Sequence, residues 1–400
     1  MRIQLACGLR ELELELADDC PVLPAQGQLP PDLADPAGAV RAALESPHNF
    51  PALRRALTPD DHVAIVLDEQ LPQPARLLVP VIEHILSARV PLESITLVCP
   101  PSSHKQEWID ELPDEFCDIH LEVHAPHDRR QLSYLATMKS GRRLYLNRTV
   151  VDADQAIVVS GRVVRSRLGN AGAPGMLFPQ LSDEETRRDW LEGDRPPTLA
   201  GKGLRHEARQ AVWLLGAPFF VHVVEGAGDG VAQVLSGLVE SSDEAERLTA
   251  QRWGVADREP VRTVLATVSG TPSRHHFVDL ANAARAAARF VEPRGRIVLL
   301  SEAAPPLNEA VELLRKADTP EGGLDLLRRQ KPAGRAEAHD WASAADHAHI
   351  YLLSGLPDET VEELYATPLE NPRQAQRLLE KERSCLVLLD AHKVQGTAEE

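Results

Sequence analysis

The feature that most constrains this chain is a repeating alternation of short, wholly apolar runs with amphipathic stretches at helical spacing. HVAIVLDE (62–69) is apolar over a strand's length, and 73–89 then place Leu77, Leu78, Val81, Ile82, Ile85 and Leu86 on one helical face. ITLVCP (95–100), IHLEVHA (119–125), RLYLN (143–147) and DQAIVVSG (154–161) read as further strands, with helices expected from Ser102 or Ser103 and near 129–138. A strand buried on both faces shows no period-two pattern, so runs of this kind point to parallel strands covered by helices on each side.

A second series starts near 261, with strands at 261–269, 296–302, 349–355 and 384–390. Helices are expected over 276–291, 306–316, 357–366 and 372–383, with an irregular stretch before 349 and a frayed tail QGTAEE. Between the two series, FFVHVVE (219–225) and VAQVLSGLV (231–239) flank GAGDG. The Gly-x-Gly-x-Gly reads as a hairpin turn rather than a phosphate loop, because a strand follows it and not a helix N-terminus. Residues 2–17 set Leu12, Leu14 and Leu16 against Glu11, Glu13 and Glu15, the alternation of a half-buried strand. The expected fold is α/β, with two lobes of mainly parallel sheets flanked by helices, a cleft between the lobes, and domains over 1–255 and 258–393.

Composition narrows the partners. A net charge of −17 repels phosphate backbones and anionic lipid, which argues against nucleic-acid and membrane binding. Aromatic residues are 4% of the chain, too few for stacking platforms along single strands. No run approaches the roughly 18 apolar residues of a membrane span, and the N-terminus lacks the apolar core of a secretory signal. The five cysteines are scattered and never form CxxC, so neither a zinc ribbon nor a disulfide framework is expected, and a reducing cytoplasm is the expected location.

Ligands of open parallel sheets bind beyond the carboxyl ends of strands. That rule selects Asp68 and Glu69, then Ser102, Ser103 and His104, and the stretch 160–167 in the first lobe; in the second it selects 269–276, Ser301, Glu302 and Ser354. His104, in a Pro-Pro-Ser-Ser-His-Lys loop at an expected helix start, is the candidate acid/base, with an ordinary loop histidine as the plainer reading. Arg162, Arg165 and Arg167 put three guanidinium groups in one strand-exit loop, which suits a carboxylate or phosphate, or salt bridges. The pairs His124 and His127, His275 and His276, and His347 and His349 lack a third ligand at suitable spacing, so no metal site is expected.

The order of these pieces resembles the lactate racemase (LarA-like, nickel-pincer) family over most of the chain. HVAIVLDEQLPQP (62–74) is similar to the family's strand ending in Ser-Asp-x-Thr-Arg-Pro, and VCPPSSHKQE (98–107) to its Thr-Gly-Thr-His-Arg loop. LYLNRTVVDADQAIVVSG (144–161), GNAGAPGMLFPQLSDEET (169–186) and the segment 267–302 continue the match. The resemblance implies a two-lobed α/β fold and hydride chemistry on a 2-hydroxy acid. In that chemistry a lysine-attached nickel-pincer nucleotide works with a nickel-ligating histidine and two acid/base histidines.

Little of that apparatus is retained. His104 stands at one acid/base position, and Asp68 matches the family's aspartate. Arg165 stands at the partner histidine, Gly175 at the lysine, Asp189 or Trp190 at the nickel ligand, and Leu71 at a substrate-binding arginine. Asp279 and Asn282 replace a Gln and a Lys of the second lobe. The expectation is a LarA-like protein without the covalent cofactor, binding a small carboxylate or phosphate anion, or a protein partner, in the cleft. Its anion site would draw on Asp68, Arg162, Arg165, Arg167, Asp279 and Asn282. The alternative is an active 2-hydroxyacid racemase or epimerase with a rearranged site using His104 and the nickel-pincer nucleotide.

Overall fold

The structure is a computed structural model that describes every residue except 18–19, 25–29, 102–106, 139–140, 162–164, 167–168, 193–202, 381–384 and 397–400. Two compact units form. One comprises Pro31–Gly226 and Gly230–Leu248; the other comprises Met1–Pro30, Ala227–Asp229 and Thr249–Glu400. The expected boundary near 255–258 is therefore displaced, and the first thirty residues join the unit built by the end of the chain.

The reason lies in the opening strands. β1 (Arg2–Cys7) and β2 (Arg10–Glu15) form an antiparallel hairpin turned at Gly8, whose φ of 56° favours glycine. Their alternation buries Leu5, Cys7 and Leu14 against Leu265, Val298 and Val387 of the terminal unit. β3 (Val22–Leu23) follows and becomes an edge strand of the same unit.

The first unit begins with α1 (Pro36–Glu45), started by Asp35, whose carboxylate accepts from Gly38 N, and by proline at the first turn. Next come β4 (Val63–Leu67), α2 (Pro74–Ser87), β5 (Ile95–Cys99), β6 (His120–Val123), β7 (Leu132–Thr137) and β8 (Arg143–Asn147). After them lie α3 (Arg148–Asp152), β9 (Gln155–Ser160), the short ladder β10 (Arg165–Ser166) and β11 (Gly169–Asn170), α4 (Glu184–Leu191) and α5 (Leu204–Leu215). β12 (Phe219–Glu225), β13 (Val231–Gly237) and α6 (Ser241–Trp253) complete the list, α6 running on past the unit's last residue. Six strands make one sheet in the order β13-β12-β9-β4-β5-β6, parallel except for β13. Val63, Ile65 and Leu67 pack on one face with α1 and α2, while Ala64 and Val66 pack on the other with Val158, Trp190 and α5. Burial on both faces is what made the strands continuously apolar.

The helix expected near 129–138 is instead β7. Its partner β8 lies antiparallel, with Leu132 opposite Asn147, and Tyr134 meets Tyr145 across the strands at 5.7 Å between ring centroids. Of the helix expected from Ser102 or Ser103, the described part is a 3-10 turn at Glu107–Glu111. GAGDG is the β12–β13 hairpin turn, as read, closed by Gly226 N donating to Gly230 O at 2.7 Å.

The second unit continues with β14 (Gly254–Val255), β15 (Val261–Thr267), α7 (Phe277–Ala288) and β16 (Val291–Leu300). α8 (Glu309–Leu314), α9 (Pro320–Gln330), α10 (Arg335–His347) and β17 (His349–Leu353) follow, then α11 (Asp358–Glu363), β18 (Ala366–Pro368), α12 (Pro372–Leu379), β19 (Cys385–Leu388) and β20 (Gln395–Gly396). Its six-stranded sheet, β18-β17-β16-β15-β19-β3, is wholly parallel. The stretch expected to be irregular contains α9 and α10. α9 hides behind Gly322 and Gly323, poor helix formers, yet Thr319 caps it and Pro320 starts it. Gln395 and Gly396 of the expected frayed tail pair with β14.

Parallel pairing of β3 with β19 also brings Cys20 and Cys385 together as a disulfide, with Cα atoms 5.5 Å apart across 365 residues of sequence. This corrects the expectation of no disulfide, which rested on spacing along the chain. Among the described residues no helix is long and apolar enough to cross a membrane.

Candidate functional site

In the first unit the chain runs β4, β5, β6 to one side and returns to β9 and β12 on the other. Strand order therefore reverses between β4 and β9, the place where an open α/β sheet leaves a crevice beyond its carboxyl ends. Asp68 follows β4 and Ser160 ends β9, both buried. Ser160 Oγ donates to Asp68 Oδ2 at 3.5 Å, Asp68 N donates to Val159 O at 3.0 Å, and Gln70 N donates to Asp68 Oδ1 at 3.1 Å. The next residue, Gly161, has no room for a side chain: a Cβ there would lie 2.7 Å from Val223 O and from Leu71 Cδ2. Leu71 itself is wholly buried in the core beneath β4.

Beside Asp68, Glu69 Oε1 accepts from Trp108 Nε1 at 3.2 Å. Cys99, at the end of β5, is buried near both carboxylates; burial first, then Glu69, pushes its thiol far above the ordinary range, so it is no nucleophile. Past β6, His124 donates from Nε2 to Ser182 O at 2.9 Å and accepts at Nδ1 from Asn147 Nδ2 at 3.3 Å. Both ring nitrogens are occupied and burial lowers its pKa, so the imidazole is a neutral structural group.

Of the arginine loop, Arg165 lies in β10, with its backbone opposite Asn170. His104, Arg162 and Arg167 lie outside the described residues. α4 lies against β10, and Glu184 N at its start donates to Pro126 O at 3.1 Å, just past β6. The helix thus belongs to the same carboxyl edge. Reading the sequence missed Arg187 on this helix, whose Nη1 donates to the backbone oxygen and to Oε1 of Gln180. Nothing in Glu-Glu-Thr-Arg-Arg-Asp distinguishes that arginine from a solvated one.

The second unit repeats the reversal, between β15 and β19. Ser269 follows β15 and Asp390 follows β19. Asp390 Oδ1 accepts from Ser269 N at 3.1 Å and from Ser269 Oγ; Oδ2 accepts from Gly228 N at 3.0 Å, and Asp390 N donates to Thr267 Oγ1 at 3.1 Å. His275 Nε2 donates to Ser269 O at 2.9 Å, and its Nδ1 lies 3.6 Å from Asp279 Oδ2.

Asp279 was expected among the anion-binding residues, but its carboxylate accepts from His276 N at 2.9 Å and caps α7. It is 1% exposed, and a buried carboxylate repels an anion. Asn282, a turn later, accepts from Arg285 Nη2 at 3.3 Å. Among the described residues no three His, Cys, Asp or Glu side chains group as a metal site.

Comparison with known proteins agrees with this architecture. The chain resembles the lactate racemase apoprotein from Thermoanaerobacterium thermosaccharolyticum, with a TM-score of 0.78 and 16% identity, over 99% of this chain and 100% of that one. It also resembles the crystal structure of a Thermotoga maritima protein, with a TM-score of 0.65 and 11% identity, over 91% of this chain and 99% of that one. No curated protein matches its sequence significantly. Residues 8–186 match the family model of the lactate racemase N-terminal domain. Residues 8–186 are thus similar to the lactate racemase N-terminal domain, and the chain shares the α/β fold of the lactate racemase apoprotein along its whole length.

Proposed function

We propose that this chain keeps the racemase fold, has lost the covalent nickel-pincer chemistry, and binds a small anion at the carboxyl edge of its first sheet. The supporting observation is the donor set where the family resemblance places that cofactor. Gly175, at the lysine position, is buried in the turn Ala173–Met176 and offers no amine. At the nickel-ligand position, Asp189 is ion-paired with Arg142, and Trp190 is packed edge-on against Phe178 with centroids 6.0 Å apart. Neither supplies an imidazole nitrogen. Leu71, at the substrate arginine's place, fills the core. These residues do not fit the covalent group.

Metal analysis and intact mass of the purified protein test this reading. The expected result is a mass equal to the polypeptide alone and no stoichiometric nickel. Nickel at one per chain together with an added cofactor mass overturns it. For the anion, thermal shift is the measurement, because a ligand present at a hundred times its Kd adds about 2.7 kcal/mol of stability.

A second reading, an active 2-hydroxyacid racemase or epimerase, draws on the Asp68–Ser160 pair at the strand-order reversal and on His104, which follows β5 in the sequence. It predicts exchange at C2 of a 2-hydroxy acid that His104→Ala abolishes. Absence of exchange across a panel of such acids removes it.

A further inference from the structure

The Cys20–Cys385 disulfide ties the edge strand of the second sheet to its neighbour, and the two strands depend on it unequally. β19 is held without it, since its other side pairs with β15 at four positions, from Thr263 opposite Cys385 to Ala266 opposite Leu388. β3 pairs at two positions only, Val22 with Val387 and Leu23 with Leu388. Val387 N donates to Pro21 O at 2.8 Å, and Leu389 N donates to Leu23 O at 2.7 Å. Pro21 and Pro24 flank the strand and carry no N–H, so the ladder cannot lengthen at either end. Val22 and Leu23 are themselves half-buried. So short a contact offsets little of the entropy lost in holding a segment of chain in place, and the covalent bond supplies the rest.

The hairpin that precedes β3 is fastened separately. Leu5 and Leu14 are buried, Gly8 N donates to Val268 O at 3.0 Å, and Gly8 O accepts from Gly270 N at 2.9 Å. At its other end Glu15 N donates to Gln376 Oε1 at 2.8 Å, and Gln376 Nε2 donates to Glu15 O at 3.0 Å. Breaking the disulfide therefore frees β3 and leaves the hairpin seated.

We propose that Cys20–Cys385 is a reversible redox lock on β3, opened by a dithiol reductant. One thiolate of the reductant attacks a sulfur of the bond, which breaks as a mixed disulfide forms, and the second thiol of the reductant then displaces the protein sulfur. Two electrons and two protons pass to the protein, leaving two cysteine thiols and an oxidised, cyclic reductant. Both cysteines are buried, so the attack follows a local lifting of β3 at the edge of the sheet. In the opened state the Val387 and Leu389 N–H groups lose their partners on β3 and line an uncovered sheet edge.

Amide hydrogen exchange at residue resolution on the full chain tests it, with the oxidised protein, the protein in dithiothreitol, and the protein reoxidised with oxidised glutathione. Reduction is expected to speed exchange at Val387 and Leu389 by about tenfold or more, to leave Gly8 and Gly270 unchanged, and to be reversed by reoxidation. Cys20→Ser without reductant should exchange as the reduced wild type does. Unchanged exchange at Val387 and Leu389 overturns the proposal, because β3 then stays in place without the bond. An equal rise at Gly8 and Gly270 also overturns it, since the bond would then staple the whole unit. So does protection that reoxidation fails to restore, or a bond that dithiothreitol opens only in denaturant. If Cys20→Ser does not fold, the reduced wild type decides alone, because it differs from the oxidised protein only in that bond.

Discussion

Ser269 and Asp390 close the strand-order reversal of the second sheet with the same two residue types that Asp68 and Ser160 bring to the first, in opposite chain order. In both sheets a carboxylate at the end of one central strand is held by a serine at the end of its neighbour. The two pairs differ in the serine's own contact: Asp390 accepts from both the backbone N–H and the hydroxyl of Ser269, whereas the Ser160 hydroxyl lies 3.5 Å from Asp68 Oδ2.

Ser269→Ala is therefore expected to lower stability by about 2 kcal/mol, the value of a hydrogen bond to a charged, buried acceptor. Ser160→Ala should cost clearly less. Urea unfolding of both variants beside the wild type is the measurement.

Acid should weaken the first unit before its carboxylates titrate. His222 on β12 is buried, its Nε2 donates to Ser241 Oγ at 2.8 Å, and burial lowers its pKa to about 4. The unfolded chain takes up that proton near pH 6.5. Stability from this group is complete above pH 6.5 and is lost as the pH falls towards 4, amounting to roughly 3 kcal/mol. His84 and His124, also lowered by burial, act in the same direction. Denaturant midpoints between pH 7 and pH 4 should fall steeply, and His222→Gln should flatten part of the slope.

Placing an arginine at residue 71, where the resemblance puts a substrate-binding arginine, is not expected to create an anion site. Leu71 lies wholly within the core, and Gly161 packs against it. Leu71→Arg should cost about 3–5 kcal/mol as an unpaired buried charge. A variant that melts like wild type and binds anions more tightly would contradict the placement of this loop.

Thiol counting checks the covalent link. Under denaturing, non-reducing conditions three cysteines (Cys7, Cys99 and Cys117) should react, rising to five after reduction. In the folded protein Cys117, the exposed one, should react first. Reduction should lower stability by about 2–4 kcal/mol, and Cys20→Ser should reproduce the loss.

The repeating α/β series was legible because strands covered on both faces must be apolar throughout, and 63–67, 95–99 and 155–160 could be little else. Asp68 and Ser160 were legible as strand-end residues because the apolar runs before them stop there. β7 was not, since LSYLAT becomes a strand only by pairing with β8, a partner that composition does not name. Asp279 looked like a ligand contact until its reach to His276 N appeared. In each case the deciding neighbour is remote, or is a backbone group that every sequence possesses.

Placing β3 beside β19 gives the molecule an order of assembly. During synthesis the first unit can complete its sheet while the ribosome is still at work, but β3 must wait for β19, far later in the chain, to emerge. Such a long-range closure is slow to form. The nascent β1–β2 hairpin therefore stays uncovered until those later strands are made, and that interval is when a chaperone would have something to hold.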